Sequence, residues 1–520
     1  EDPREDIHMK WTFLTAAGVV AVLSGAPALA QNPSELVSQA VAAQGGADAL
    51  RAFKAAIIKG DAKHWEPGQS FKAGGEAKFL GDSAFTMTAD GVNRTVRIDW
   101  DRDMKYPAVE RMKYSEIITP TYGVVTNDKG SQPMSGIRLA SQLREFGRQT
   151  PALLLRAMEN PQNVAAIENQ KVGERTLPAV AFTSDGTKYI IAFDPATKLP
   201  AAVRTRDDDH IYGDSNYDMI LSDWKDTAGI KLAHSYSFQL NGTETQRIVY
   251  KEVTANPTIA PDTFAVSDEV KAKAKTAASD APYQWVLRRI FLGRFLDSDQ
   301  VMVPAGGSLK LSELSPNVQQ VVGGGANNLI VAMKDGIVVF DAPISDIQSR
   351  WVIDAAKAKY PGKPIKHLVL THHHMDHTGG MRAYVAEGAT VIVPDQVKAY
   401  FEEVAKAPHT VAPDTLARQA KPANLVGVTD QMSLKDDTVE INLHNIPNPH
   451  SDGMIIGHVV KDNIVWVTDI WSPGRDANRT PGVLAVGEAV KKLGIKDATF
   501  AGGHGSTAKQ EVLERIVAQN

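Results

Sequence analysis

The sequence predicts an α/β chain. Its C-terminal half is built from strand, helix, strand units with active loops on one edge, and it is preceded by a separate α+β domain with one antiparallel sheet. Two observations carry this. Residues 31–275 contain alternating segments separated by Gly, Asp and Asn turns, the pattern of half-buried strands. The stretch IKHLVLTHHHMDHTGGM, Ile365 to Met381, couples an apolar, β-branched run to a burst of His and Asp. That is a buried strand delivering polar groups at its C-terminal end. A chain of 520 residues is long enough for two or three domains with cores of their own. A formal net charge of -5 gives no basic footprint for nucleic acid, so the expected partner is a small-molecule or polymer substrate. The chain has no cysteine, which excludes disulfides, iron–sulfur clusters and a thiolate nucleophile.

In chain order, residues 1–8 (EDPREDIH) read as an upstream or vector-derived extension before Met9. Residues 9–30 carry Lys10, an apolar run from Trp11 to Leu23 and Pro27-Ala28-Leu29-Ala30, the pattern of a bacterial signal peptide cleaved before Gln31. The apolar run is shorter than the ~20 residues a spanning helix needs, so the mature chain is expected in the periplasm or secreted, without a membrane span.

The domain over 31–275 opens with a helix, Pro33 to Lys54, broken at Gly45-Gly46. Alternating segments follow at Ala84 to Met87, Val96 to Trp100, Lys188 to Phe193, Leu232 to Gln239 and Arg247 to Val253. A second helical stretch, Ile137 to Glu159, interrupts them, and one sheet wrapped around helices is the economical arrangement. Residues 276–300 are a linker and helix. Tyr283 to Leu296 sets aromatic and aliphatic residues beside Arg288, Arg289 and Arg294, and is expected to pack between domains with its arginines in water. A membrane-surface or lid helix is the alternative.

The catalytic domain is expected over 301–520. Strands Asn328 to Met333 and Gly336 to Phe340 form a hairpin, helix Ile347 to Lys359 stops at Tyr360-Pro361-Gly362, and the chain returns to the ligand strand. Tyr400 to Asn424 reads as a lid, and Glu488 to Leu493 and Ala508 to Ala518 read as helices. His372, His374, Asp376 and His377 form H-x-H-x-D-H, which sets imidazoles and a carboxylate on one short loop where two cations can sit side by side. Zinc takes such ligands. A solvated polar loop or a tag is the bland alternative, but tags sit at termini and this run follows a buried strand. His373 fills an x position and is expected to point away from the cations.

This loop resembles the signature of the metallo-β-lactamase superfamily. The resemblance implies an αββα sandwich, two facing sheets with helices outside, and three further ligands on loops after strands. His450 in NIPNPHSDG, Asp469 in IVWVTDIW and His504 in TFAGGHGS match it in order and placement. It implies two metals about 3.5–4 Å apart: one on His372, His374 and His450, a second on Asp376, His377 and His504, with Asp469 bridging. Zinc is the expected ion, two per chain, with iron or manganese as alternatives. Asp376 is the expected catalytic residue, orienting the hydroxide held between the metals and taking its proton. The first domain resembles the periplasmic lipoprotein-carrier fold, on the helix-first order and segments such as FDPATKLP and NPTIAPDTFAV. That resemblance implies a curved antiparallel sheet around an acyl-chain cavity; a scaffold packed on the catalytic domain is the alternative.

The expected function is a secreted dinuclear zinc hydrolase of a small or lipophilic ester, lactone or amide. Three readings compete with it: a β-lactamase of the all-histidine subclass, a mononuclear iron persulfide dioxygenase, and a binding module with a relict site. Flavin-dependent diiron reductases resemble H-x-E-x-D, and residue 374 is His. Thr371, Ser451 and Thr468 are expected to hold ligands in orientation. His444 and His409 are further candidates, and Arg475 and Asn478 are candidates for binding a carboxylate.

Overall fold

The computed structural model describes residues 32–277, 283–292 and 309–519. The extension and the signal-peptide reading over 1–30 lie outside these residues, as do Arg294 and the stretch 301–308.

Among the described residues the first half is built on one antiparallel sheet of thirteen strands, with a separate two-stranded ribbon of Gln170–Val172 and Arg175–Leu177. Its strands are longer than the alternation suggested. Ala84 to Met87 lies inside Lys78–Asp90, and Arg247 to Val253 inside Thr243–Ala255. The strand Ala55–Glu66 pairs with both of these and so ties the start of the sheet to its end. The expected opening helix is two: Pro33–Ala43, capped by the Asn32 side chain with Pro33 in its first turn, and Ala47–Ala52. The stretch Ile137 to Glu159 also divides, into Gly136–Gly147 and Ala152–Glu159, with Pro151 at the start of the second helix.

The helix Tyr283–Leu292 packs on Gly136–Gly147 and on the strands Ala55–Glu66 and Pro200–Asp209. Trp285, Val286 and Ile290 are buried, and so is Arg288. The expectation that its arginines lie in water is therefore wrong at Arg288. The guanidinium meets Glu66 and Asp209, both fully buried, with Asp209 Oδ2 at 2.5 Å from Nη2. The helix is pinned further by Gln284, whose N–H donates to Asp207 and whose amide donates to Asp209. Arg102 closes its C-terminal end on the carbonyls of Ile290 and Phe291.

The second half has two mixed sheets. Seven strands run from Lys310–Ser315 to Asn424–Val428, antiparallel at first and parallel through Ile337–Phe340, Ile365–Val369 and Thr390–Pro394. Six strands run from Gln431–Lys435 to Thr507–Lys509. The facing surfaces share a core of Val331, Phe340, Val369, Leu443, Ile455 and Trp466. Gly457 lies against the Phe340 ring, where a Cβ has no room. Helices Asp346–Lys359, Met381–Glu387 and Pro481–Leu493 flank the sheets. Glu387 closes a helix instead of opening the next strand, and the last two helices begin and end at Pro481, Leu493, Gln510 and Val517. No helix among the described residues is long and apolar enough to cross a membrane.

The halves share a core. One buried apolar cluster runs from Leu36 and Trp285 through Ile290 to Met375, Met381, Tyr384 and Phe401. At the contact, Gly68 of the first half meets Met375 of the motif loop so closely that a Cβ at 68 would lie 2.9 Å from the Met375 sulfur.

Candidate metal centre

The strand Ile365–Val369 is parallel to neighbours on both sides and buried at its C-terminal end, so its polar continuation emerges at the edge of the sheet. His372 and His374 lie on that continuation, and Asp376 and His377 lie on the single helical turn Met375–Thr378. His450 follows Glu440–Asn445, where the Asn448 side chain accepts from the backbone N–H of His450 and Ser451 at 2.8 and 2.9 Å and fixes the turn. Asp469 follows Ile464–Val467 with φ at +54°, and His504 follows Thr499–Gly502. A non-glycine residue at positive φ is uncommon and here sits at the site.

These seven residues converge into two groups, His372, His374, His450 with Asp469, and Asp376, His377, His504 with Asp469. Within each group the ligand atoms lie within 4.8 Å of one another. Asp469 divides its carboxylate between them. Oδ2 is 3.1 Å from His372 Nε2 and 2.9 Å from His450 Nε2, while Oδ1 is 3.1 Å from His377 Nε2 and 2.9 Å from His504 Nε2. Buried His374 Nδ1 has no hydrogen-bond partner among the described residues, and His372 Nε2 and His450 Nε2 face only the shared Asp469 oxygen. Three imidazole nitrogens converging with one carboxylate oxygen are a donor set that suits a divalent cation.

The surroundings fix the rings. His374 Nε2 donates to the Ser70 carbonyl at 3.0 Å, which leaves Nδ1 as the nitrogen facing the group. His377 Nδ1 lies 3.2 Å from Asp341 Oδ2, which leaves Nε2 facing inward. Asp341 also accepts from Thr371 N–H, Thr371 Oγ1 and Trp466 Nε1. Burial pushes His372 and His374 below the usual imidazole value, holding them neutral as ligands must be. Burial alone would do the same to His377, but Asp469 and Asp341 outweigh it and raise it well above that value. Burial would raise Asp469, yet His377, His504 and His450 hold it well below the carboxylate range.

A family model described as the metallo-beta-lactamase superfamily matches residues 321–507. This segment is a metallo-β-lactamase superfamily domain. A linear primary-alkylsulfatase from Pseudomonas sp. is 34% identical over 115 residues, covering 21% of this chain and 17% of that protein, so the chain spans about a sixth of its length. Among solved structures, a metallo-β-lactamase from Hirschia baltica is 21% identical with a TM-score of 0.31, covering 40% of this chain and 96% of its own. One from Pontibacter korlensis is 17% identical with a TM-score of 0.32, covering 40% and 97%.

A cleft of about 870 Å³ opens beside the metallo-β-lactamase loops. One wall is His374, His450 and Asp469. The other comes from the first half: Trp65, Gln69, Phe71, Phe79 and Tyr106, with Lys72, Lys78 and Lys105. No residue of the segment expected as a lid, 400–424, lines it. That segment is a docked element: Lys398–Lys406 buries Phe401 and Val404, Pro408 accepts from Asp214 N–H, and Arg382 holds Asp414 at 2.5 Å. His409, a further candidate from the sequence, is buried with Nδ1 2.8 Å from Asp208 Oδ1 and does not line the cleft.

His373 does point away from the two groups, but it is buried and donates to Ser70 O at 2.8 Å. Thr371 and Thr468 contact His372 and His377 respectively. Ser451 bonds only within its own loop, to Gly453 O. His444 is half-buried on its strand, outside both groups. Arg475 is held by Ser472 and Asp476, and neither it nor Asn478 lines the cleft. Sequence reasoning missed Asp341, Gln69 and Ser70. Asp341 had a signal, an acidic residue ending the buried strand beside the ligand strand; Gln69 and Ser70 had none.

Proposed function

We propose that the protein is a dinuclear metal-dependent hydrolase, with zinc the favoured ion, acting on an ester, lactone or amide. The observation that carries this is the Asp469 carboxylate, with one oxygen at each of two convergent ligand groups. A mononuclear iron oxygenase has no use for that second group. His372, His374 and His450 would hold one cation and Asp376, His377 and His504 the other. When bound, such a pair supplies Lewis-acid polarisation of a carbonyl oxygen and a water acidified to near neutral pH. The chain's own part is positional. Asp376 keeps Oδ2 towards His504 and His377, at 3.6 and 3.8 Å, where it can take a proton from the attacking water. The aromatic side chains around the cleft exclude bulk water from one side of the substrate.

The cleft lining supports a substrate with an apolar body and an anionic group. Lys72 and Lys78 face it against a single acidic side chain on that wall, Glu76, while Lys105 is paired with Asp103 at 2.7 Å, and Lys78 lies 4.9 Å over the Tyr106 ring. A sulfate ester is the second reading, favoured by these lysines and by the alkylsulfatase match. The test is a panel of neutral ester, anionic ester, lactone, nitrocefin and alkyl sulfate, run with metal-loaded protein and with His374→Ala. The reading predicts turnover of at least one carboxylic ester or lactone, lost in the variant. Turnover of alkyl sulfate alone would move the second reading forward, and nitrocefin alone a β-lactamase. The proposal includes export with cleavage after Ala30; N-terminal sequencing of exported protein that begins at Met9 would contradict it.

A further inference from the structure

The turn Pro67–Gln69 ends the strand Ala55–Glu66 of the first half and reaches into the metallo-β-lactamase site. It is rigidly built. Glu66 accepts from Gly68 N–H at 2.8 Å with the same oxygen that meets Arg288, and Gly68 sits against Met375. Gln69, 3% exposed, donates from Nε2 to Asp376 Oδ1 at 2.5 Å and accepts at Oε1 from the Tyr106 hydroxyl at 2.6 Å. The next residue supplies the carbonyl that takes both His373 and His374. An ionised carboxylate can only accept, so the amide must present nitrogen to Asp376, and its oxygen is then matched by the tyrosine O–H.

We propose that Gln69 is a positioning residue of the metal centre, holding Asp376 Oδ1 so that Oδ2 faces His377 and His504, with Tyr106 setting the direction of its amide. The proposal rests on the dinuclear reading above. It makes the first half part of the catalytic unit. Without this bond the Asp376 carboxylate loses its 2.5 Å contact from the first half, and its terminal torsion, which is broad and two-fold, is held less firmly by the contacts that remain at Oδ2. Gln69 contributes orientation and does not itself ligate.

The test uses the full chain, with Gln69→Met, Tyr106→Phe and the double variant. Each is compared with the parent by chelator titration with zinc counted at every step, and by kcat and KM on whichever substrate the parent turns over. Gln69→Met is expected to lower kcat about tenfold or more, the loss of one hydrogen bond to a charged group, with KM within about twofold. It should release one zinc at lower chelator concentration than the parent does, while the other is retained. Tyr106→Phe should shift both readouts the same way by less, and the double variant should be no worse than Gln69→Met. Parental zinc release and kcat in Gln69→Met would overturn the proposal. So would losses in the double variant equal to the product of the single ones, because the two side chains would then act independently. If Gln69→Met fails to fold, Tyr106→Phe with an unchanged zinc release curve overturns it. A parent that binds no zinc would fail the dinuclear reading instead, a result visible before any variant is made.

Discussion

In the dinuclear centre proposed above, Asp469 would do electrostatic work that no imidazole can. Two dications close together repel, and a carboxylate with one oxygen at each group offsets that repulsion. Asp469→Ala should therefore weaken both sites, whereas His504→Ala should mainly empty one, as read by chelator titration; equal small losses would contradict the bridge. His374→Ala should abolish turnover and leave most of the fold, and activity within tenfold of the parent would count against the assignment. Away from the metals, burial pushes Asp207 up to about 6 from an ordinary 3.8. A carboxyl raised on folding contributes stability that is full below its unfolded value and is lost as pH rises through its folded value. Asp207→Asn should thus flatten part of the fall in stability between about pH 4 and pH 6, of which urea midpoints at pH 4.5 and 7.5 read on the order of 2 kcal/mol. A parallel slope in the two proteins would contradict this. The convergence of the seven candidate ligands was legible because H-x-H-x-D-H and the three strand-end loops are local signals. Asp341 was passed over despite ending a buried strand, because Asp-Ala-Pro after a strand reads as a turn and its partners His377 and Trp466 are distant in sequence.

The helix Tyr283–Leu292 shows where periodicity stops informing. Its mixture of aromatics and arginines fits a membrane-surface helix, a lid or a core helix equally, and only the distant Glu66 and Asp209 decide for the core. A buried cation between two buried carboxylates is held by geometry, and deleting it leaves uncompensated charge. Arg288→Ala should cost about 3–5 kcal/mol, measured as a fall in unfolding free energy, and should loosen the turn Pro67–Gln69 that Glu66 caps. A loss under about 1 kcal/mol would mean that the pair is solvated. The segment 400–424 failed as a lid for the same reason in reverse: length and polarity suggested an excursion, while Phe401, His409 and Leu416 are buried by partners in both halves of the chain.

The two halves meet across the cleft, the metallo-β-lactamase domain supplying the candidate metal ligands and the preceding sheet supplying the opposite wall. That division was invisible in the sequence, because the segment from Trp65 to Phe79 lies some three hundred residues from the histidines it faces. The sandwich was legible from the resemblance that the H-x-H-x-D-H loop carries, and a single large antiparallel sheet from alternation, though with strands drawn too short and their number not given. If the lysine wall binds an anionic substrate, paired Lys72→Ala and Lys78→Ala changes should raise KM for anionic esters several-fold with little change for neutral ones, and added salt should do the same to the parent. The proposed chemistry depends on the site holding two metals. The direct measurement is zinc per chain by elemental analysis, on the full-length protein purified without chelator and dialysed against zinc-free buffer, in parallel with Asp469→Ala. The account predicts about two in the parent and fewer than one in the variant. One or none in the parent, or two in both, would contradict it.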